Sequence, residues 1–487
     1  MIDDSLSNRH APPGHPLTCA RRAAMAYSFF PGFPDAPRRA ASGSFVKETS
    51  TMDTISRPVG TGAPANGLVG AHGWRPLIIA ALIFFAMGFV TWLNGPLITF
   101  VRVAFSLNDF NAFFVPMVFY ISYLIFSIPA SKIASRLGLK KGLAASIVVS
   151  AIGVAIFGQF VNMRIYGGAL TGLLVLGAGL ALMQVVINPL VSLLGPPTHA
   201  ATRIAIMGIS NKFAGMLAPI VLGTLVMHDI GAVAQRAQGA TDPTVREALL
   251  AGLVHAIYLP YLGMAALLVL LAAIVWHSAL PQLEAPPMPA LSGEATSRLF
   301  RPHLVFGVLA MFIYVGVEVM AGDAIGTYAQ GFGIPIDQTK FFTTLTLAAM
   351  LVGYIAGFLL VPRVLPQERL LEISCGLGIV FAMLAFLTHG YVSVLFVALM
   401  GLSNAMIMPT IFPVAIRGAG AATPLASAWL VMAYSGGAII PQFYVLLKPL
   451  LGFQLAFVLL VAPIYLAIFA YAHRYGRIGL EPDATQM

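Results

Sequence analysis

From Pro76 to about residue 472 the chain alternates apolar runs of roughly 20 residues with short polar breaks. A run of that length crosses the hydrocarbon core of a bilayer as a helix, whereas barrel strands would alternate in polarity every second residue. The pattern predicts twelve helical spans, at 77–100, 110–134, 143–162, 169–194, 204–226, 254–276, 304–330, 340–361, 370–388, 391–413, 425–447 and 453–472. The longest inner connection, 277–303, is polar and rich in proline and reads as a linker between two six-span halves. The expected organisation is an extension over 1–74, a first half over 75–276, the linker over 277–303, a second half over 304–472 and a tail over 473–487. Residues 1–74 are polar and rich in Pro, Gly, Ala and Ser, with neither a spanning run nor a signal-peptide pattern. They read as a disordered cytoplasmic extension, with Met52 as an alternative start.

Composition agrees with the pattern. Hydrophobic residues make up 59% of the 487 and charged residues 9%, against roughly 25% charged in soluble domains. The fold class is therefore an all-α polytopic membrane protein. A net charge of +9 would suit nucleic acid, but its distribution reads as topology. With the N-terminus placed in the cytoplasm, inner segments carry 13 Lys and Arg after residue 74 and outer loops carry 6, which puts both termini inside. The run from Lys132 to Lys141 is the strongest inside marker. Cys19 and Cys375 are too far apart to suggest a disulfide framework or a metal site. No HExxH, GxSxG or Walker loop is present, which argues against a membrane enzyme and an ATP-driven pump. The expected partners are the lipid bilayer and a small solute, with no nucleic acid, no metal, no resident cofactor and a monomeric state.

The two halves echo each other. Phe89–Gly95 in span 1 corresponds to Tyr314–Glu318 in span 7. Gly179-Leu180 before Asn188-Pro189 in span 4 corresponds to Gly401-Leu402 before Pro409-Thr410 in span 10, and Gly215 before Pro219 in span 5 to Gly436 before Pro441 in span 11. Each pair lies six spans apart, the repeat of a transporter with two pseudo-symmetric six-helix halves.

Two acids stand inside span 7, Glu318 and Asp323. An ionised acid in hydrocarbon costs roughly 2.5–3.5 kcal/mol on insertion scales, so it marks a substrate, ion or proton route. Glu318 lies about 21 Å along the helix from Leu304 and Asp323 about 28 Å, and in an unbroken helix they would point about 140° apart. Gly316, Gly322 and Gly326 point to a local break, which would bring both acids into one cavity or free carbonyls for an ion. Glu318 is the better candidate for ion coupling; Asp323, nearer the outer face, is the second, with contact to interfacial water as its alternative reading. Trp92, Asn94, Gln184, Asn188, Asn211, Asn404 and Gln442 are the other polar or aromatic residues placed in spans. Amides both donate and accept, which suits a polyhydroxylated ligand, and an indole offers a flat face to a sugar ring. Structural bonding between helices is the alternative for each amide. Lys212, a third of the way into span 5, is expected to reach back to the cytoplasmic surface at least as readily as to bind ligand.

The segments 88–95, 179–196, 203–219, 314–328 and 401–412 together resemble the fucose–galactose–glucose–H⁺ symporter group of the major facilitator superfamily, over essentially 76–472. They look closer to its glucose/galactose and N-acetylglucosamine transporters than to its fucose permease. That permease has an acid at the positions of Gly95 and Gln184, so the resemblance implies that coupling has moved to Glu318 and Asp323. It keeps a sugar-contacting Asn that matches Asn211. The resemblance implies an inner-membrane hexose importer working by alternating access, with H⁺ or Na⁺ as the co-transported ion. Trp92, Asn94, Gln184, Asn188, Asn211 and Asn404 would hold the sugar. N-acetylglucosamine or fucose import, sugar or drug efflux, and a transport-inactive sugar sensor stand as alternatives.

Overall fold

The computed structural model describes residues 73–194, 200–278, 280–281, 297–361 and 364–476. The expected extension, most of the linker and the tail beyond Gly476 lie outside the described residues. Among those described, every regular element is helical. Eleven stretches are long and apolar enough to cross a membrane. One of them, Asp109–Asn162, has 54 residues, about 81 Å of helix against a core of about 30 Å. It is two spans. Gly138 divides them with φ 75° and ψ 169°, a conformation that only glycine adopts without strain. The count is therefore twelve. The expected loop between spans 2 and 3 is this single kink, and helix continues on both sides of it.

Span 6 also departs from expectation. It begins at Pro243 rather than near 254 and runs to His277. Asp242 starts it early: its carboxylate accepts from the Thr244 amide at 2.8 Å, and Pro243 sits where a missing N–H costs nothing. A helix at Ile230–Gly239 fills the connection read as an outer loop.

Four spans are broken within their length. Span 1 divides into Trp74–Thr91 and Asn94–Ala104, and span 7 into Pro302–Gly322 and Ile325–Gln330. Span 10 divides into Gly390–Asn404 and Ile407–Ile416. Span 11 passes through a 3-10 turn at Ala433–Ser435 between Thr423–Met432 and Gly436–Leu451. Their repeat partners, span 4 (Tyr166–Leu193) and span 5 (Ala200–Leu225), run unbroken through Pro189 and Pro219. The repeat seen in sequence is therefore a repeat of position rather than of helix continuity.

Two seams join the halves. Span 5 packs on span 8 (Phe342–Leu360), with Gly208 against the Tyr354 ring and Gly223 against the Phe341 ring. Span 2 packs on span 11, where the Tyr123 and Tyr434 rings lie 5.5 Å apart. Polar links between the halves gather at the end of the bundle opposite Trp74 and Tyr475. Lys448 bonds Asp109 at 2.6 Å, Asp109 also holds Arg102 at 2.8 Å, and Arg102 reaches Gln330. Lys340 donates to the Met227 and His228 carbonyls, and the Gly231 amide donates to Asp337. At the other end, Arg417–Glu368 (2.6 Å) and Arg369–Glu372 (2.7 Å) both lie within the second half.

Candidate substrate and ion-coupling site

The breaks in spans 1 and 7 meet at the centre of the bundle. Breaking a helix leaves carbonyls without amide partners, and in a membrane interior each such group costs several kcal/mol. Span 8 supplies the remedy: Thr343 Oγ1 donates to Gly322 O and Thr346 Oγ1 to Ala321 O, each at 2.8 Å. In span 1, Thr91 Oγ1 donates back to Met87 O at 2.8 Å. The break expected around Gly322 is present.

Glu318 sits just over one turn before that break, and its partner comes from the other half. Lys212 Nζ lies 2.8 Å from Glu318 Oε1, with the side chains 9% and 11% exposed. This corrects the expectation that Lys212 turns to the cytoplasmic surface. A buried carboxylate 106 positions away gives its ammonium a closer and stronger charge than any surface could. The sequence signal was available: Lys212 is the only lysine or arginine placed deep in a span, and two acids stand in the opposite half.

Trp92 completes the contact. Lys212 Nζ lies 4.5 Å from the centroid of its ring, within cation–π range. The pyrrole edge of the indole rests on Gly215 of span 5 and its benzo edge on Gly322 of span 7. The ring is 3% exposed, so its surroundings are filled by helix backbone and the lysine rather than left open. Tyr120, Tyr314, Tyr354, Tyr434 and Tyr465 stand within electrostatic range of Glu318. None of these tyrosines was foreseen as part of the site.

Asp323, placed in the turn between the two helices of span 7, is 2% exposed. Neither carboxylate oxygen has a hydrogen-bond partner. The Gly95 backbone amide lies against this carboxyl, short of a bond of ordinary geometry. A Cβ built on Gly95 would stand 3.2 Å from Asp323 Oδ1 and closer still to Thr343 Oγ1, so the absent side chain makes room for the acid. Burial inside the bundle removes the interfacial-water alternative for Asp323. The neighbouring Asn94 is buried with its amide nitrogen unpartnered.

The remaining amides are spread more widely. Asn188 Nδ2 donates to the Gln184 carbonyl at 3.1 Å, one turn back along span 4, and both side chains are half-buried. Asn211 Nδ2 donates to Phe84 O at 3.2 Å, a contact between spans 5 and 1. Asn404 accepts from Tyr465 at 2.7 Å through its side-chain oxygen and from Tyr314 at 3.0 Å through its backbone oxygen, and its amide nitrogen is unpartnered. Gln442 donates to Phe110 O at the far end of the bundle, away from the central charges. The structure thus brings Trp92, Glu318 and Asp323 together, adds Lys212, sets Asn94 beside them and connects Asn404 through Tyr314.

A twelve-span bundle with helices broken around a buried charge cluster has the construction of a secondary transporter. Residues 67–441 match the Major Facilitator Superfamily, and the chain belongs to it. It is 32% identical over 408 residues to a glucose/galactose transporter of Brucella abortus (biovar 1, strain 9-941), spanning 82% of this chain and 92% of that protein. It is 25% identical over 385 residues to the L-fucose-proton symporter of Escherichia coli (strain K12), spanning 78% and 86%. The crystal structure of FucP, a superfamily transporter in the outward conformation, aligns with a TM-score of 0.68 at 25% identity, over 82% of this chain and 98% of that one.

Proposed function

We propose that this protein imports a hexose of the glucose/galactose kind across a bacterial inner membrane, driven by an inward proton gradient. The observation that carries the reading is the buried Lys212–Glu318 pair beside the unpartnered Asp323, at the meeting of two broken helices. Identity to a protein named as a glucose/galactose transporter supports the substrate class. Identity to a named proton symporter supports the ion.

A sodium site at a helix break would draw on freed backbone carbonyls. Those of Ala321 and Gly322 already accept from Thr346 and Thr343, which favours a proton. In this reading Asn94, Gln184, Asn188, Asn211 and Asn404 bond sugar hydroxyls and Glu318 and Asp323 handle the ion, while Trp92, its ring covered by Lys212, holds the ammonium in place of the stacking role expected from sequence. The excess of 13 basic residues over 6 supports a cytoplasmic position for both termini. The links through Asp109, Lys340 and Lys448 then close the outer face, and the halves rock about the centre as those links part and re-form.

The test is uptake by the purified full chain in liposomes, using labelled D-glucose, D-galactose, N-acetylglucosamine and L-fucose under separately imposed H⁺ and Na⁺ gradients. Accumulation of glucose or galactose under the H⁺ gradient alone is expected. Accumulation only under Na⁺ overturns the ion, and no accumulation of any of the four sugars overturns the substrate class.

A further inference from the structure

The central site holds two carboxyls and one ammonium. Lys212 sits on Glu318, and Asp323 is left with no hydrogen bond and 2% exposure. An ionised carboxylate in that position, with both oxygens desolvated and unpaired, would cost several kcal/mol. The same group as a neutral acid costs far less. The geometry is therefore that of a proton-loaded state, with the proton on Asp323 and the charges of Glu318 and Lys212 cancelling.

Trp92 connects the two acids' surroundings. Its indole reaches from Gly215, three residues beyond Lys212, to Gly322, the residue before Asp323. An ammonium already over this ring can move along its π face from Glu318 towards Asp323 without being stripped of all favourable contact. A charged Asp323 would also be met by the first amides of the second helix of span 1, which begins at Asn94. The titratable groups that face Asp323 are Glu318 on its own span, Lys212 from span 5 and Tyr120 from span 2. Gly95 of span 1 and Thr343 of span 8 also border it and bring no titratable group.

We infer that Asp323 is the proton carrier of this transporter, and that Lys212 is a shared counter-charge which crosses from Glu318 to Asp323 when the proton leaves. On release, the proton passes from the Asp323 carboxyl to water, Lys212 stays an ammonium throughout, and Glu318 turns to the nearby Tyr120 and Tyr354 hydroxyls. On reloading, Asp323 takes up one proton and Lys212 returns to Glu318. The Lys212–Glu318 pair, with its two polar heads, is then assembled for a sugar only while the proton is bound. This rests on the proton-coupled reading above and assigns the roles within it.

Infrared difference spectroscopy of the purified full chain in liposomes tests the assignment, by following the carbonyl stretch of a protonated carboxylic acid at neutral pH. Wild type is expected to show one buried acid. Asp323→Asn loses it. Glu318→Gln also loses it, because the freed Lys212 moves to Asp323 and ionises it. Lys212→Gln gains a second band of similar size, because both acids must then be neutral. A band that survives in Asp323→Asn overturns Asp323 as the carrier. One that survives in Glu318→Gln, or an unchanged band in Lys212→Gln, overturns the sharing of the lysine. Should Asp323→Asn fail to fold, the other two variants still decide. No sugar enters the measurement, so failure here is distinguishable from failure of the sugar uptake experiment.

Discussion

Spans 1 and 7 occupy equivalent places in the two halves and are both broken where they meet, yet they divide the work unequally. Span 7 carries both acids, and every residue from Tyr314 to Ala329 in it is buried. Span 1 carries no charge at its break. It contributes Trp92, on which Lys212 rests, and Gly95, which leaves space for the Asp323 carboxyl. A repeat supplies two similar scaffolds; here one became the charged element and the other its mould. The single cation comes from a third element, span 5, so the charge balance of span 7 depends on the opposite half staying in place. That dependence is what a device coupling ion binding to rocking of the halves requires.

The largest expected effect comes from removing the cation. Lys212→Gln leaves Glu318 buried without its partner, so the acid must take up a proton to stay there. The detergent-solubilised protein should be destabilised by no more than about 3–5 kcal/mol, the cost of a stranded buried charge, read as a lowered melting temperature. The double variant with Glu318→Gln should recover much of the loss. A single variant that melts with wild type would break the claim that span 7 is neutralised across the interface.

Next comes the mould. Gly95→Ala puts a methyl group against Thr343 and Asp323, and overpacking of that kind costs about 1–3 kcal/mol. Proton-driven uptake should fall along with the melting temperature. An unaffected protein would mean that span 1 does not shape the acid's pocket.

Trp92→Leu removes the aromatic face under the ammonium, a contact of about 0.5–2 kcal/mol. The expected result is a smaller loss of stability with a clear fall in concentrative uptake. Normal accumulation by this variant would reduce Trp92 to packing.

The smallest effect is expected where the same two spans meet at the far end. Arg102→Gln removes the link to Asp109 and weakens that to Gln330, at side chains about one-fifth exposed. Exposed pairs contribute about 0.2–1 kcal/mol and weaken with salt. A loss rivalling that of Lys212→Gln would place the energetic centre of the interface at its rim.

Much of this was legible in the chain. Twelve apolar runs gave the spans, because the thickness of hydrocarbon sets the length of a helix that crosses it. Glu318 and Asp323 stood out because charge is rare at such depth, and the glycines around Asp323 marked the break. The threonines that make the break tolerable, Thr343 and Thr346, were not legible: a threonine in a span bonds its own helix as readily as a neighbour's carbonyl. The reach of Asn211 to Phe84 was equally hidden, since an amide in a span looks the same in sequence whether it holds a ligand or a helix.

The sequence by itself determined that this chain crosses a membrane twelve times in two related halves and carries acids where hydrocarbon would exclude them. Hydropathy and repetition are properties of position along the chain and need no partner. Only the tertiary structure decided that Lys212 answers Glu318, that Trp92 bridges spans 5 and 7, and that Asp323 stands unpaired against Gly95. Those are relations among residues up to 230 positions apart (Trp92 to Gly322). They exist because a buried charge takes whichever opposite charge packing brings within reach, and packing is settled by the whole bundle.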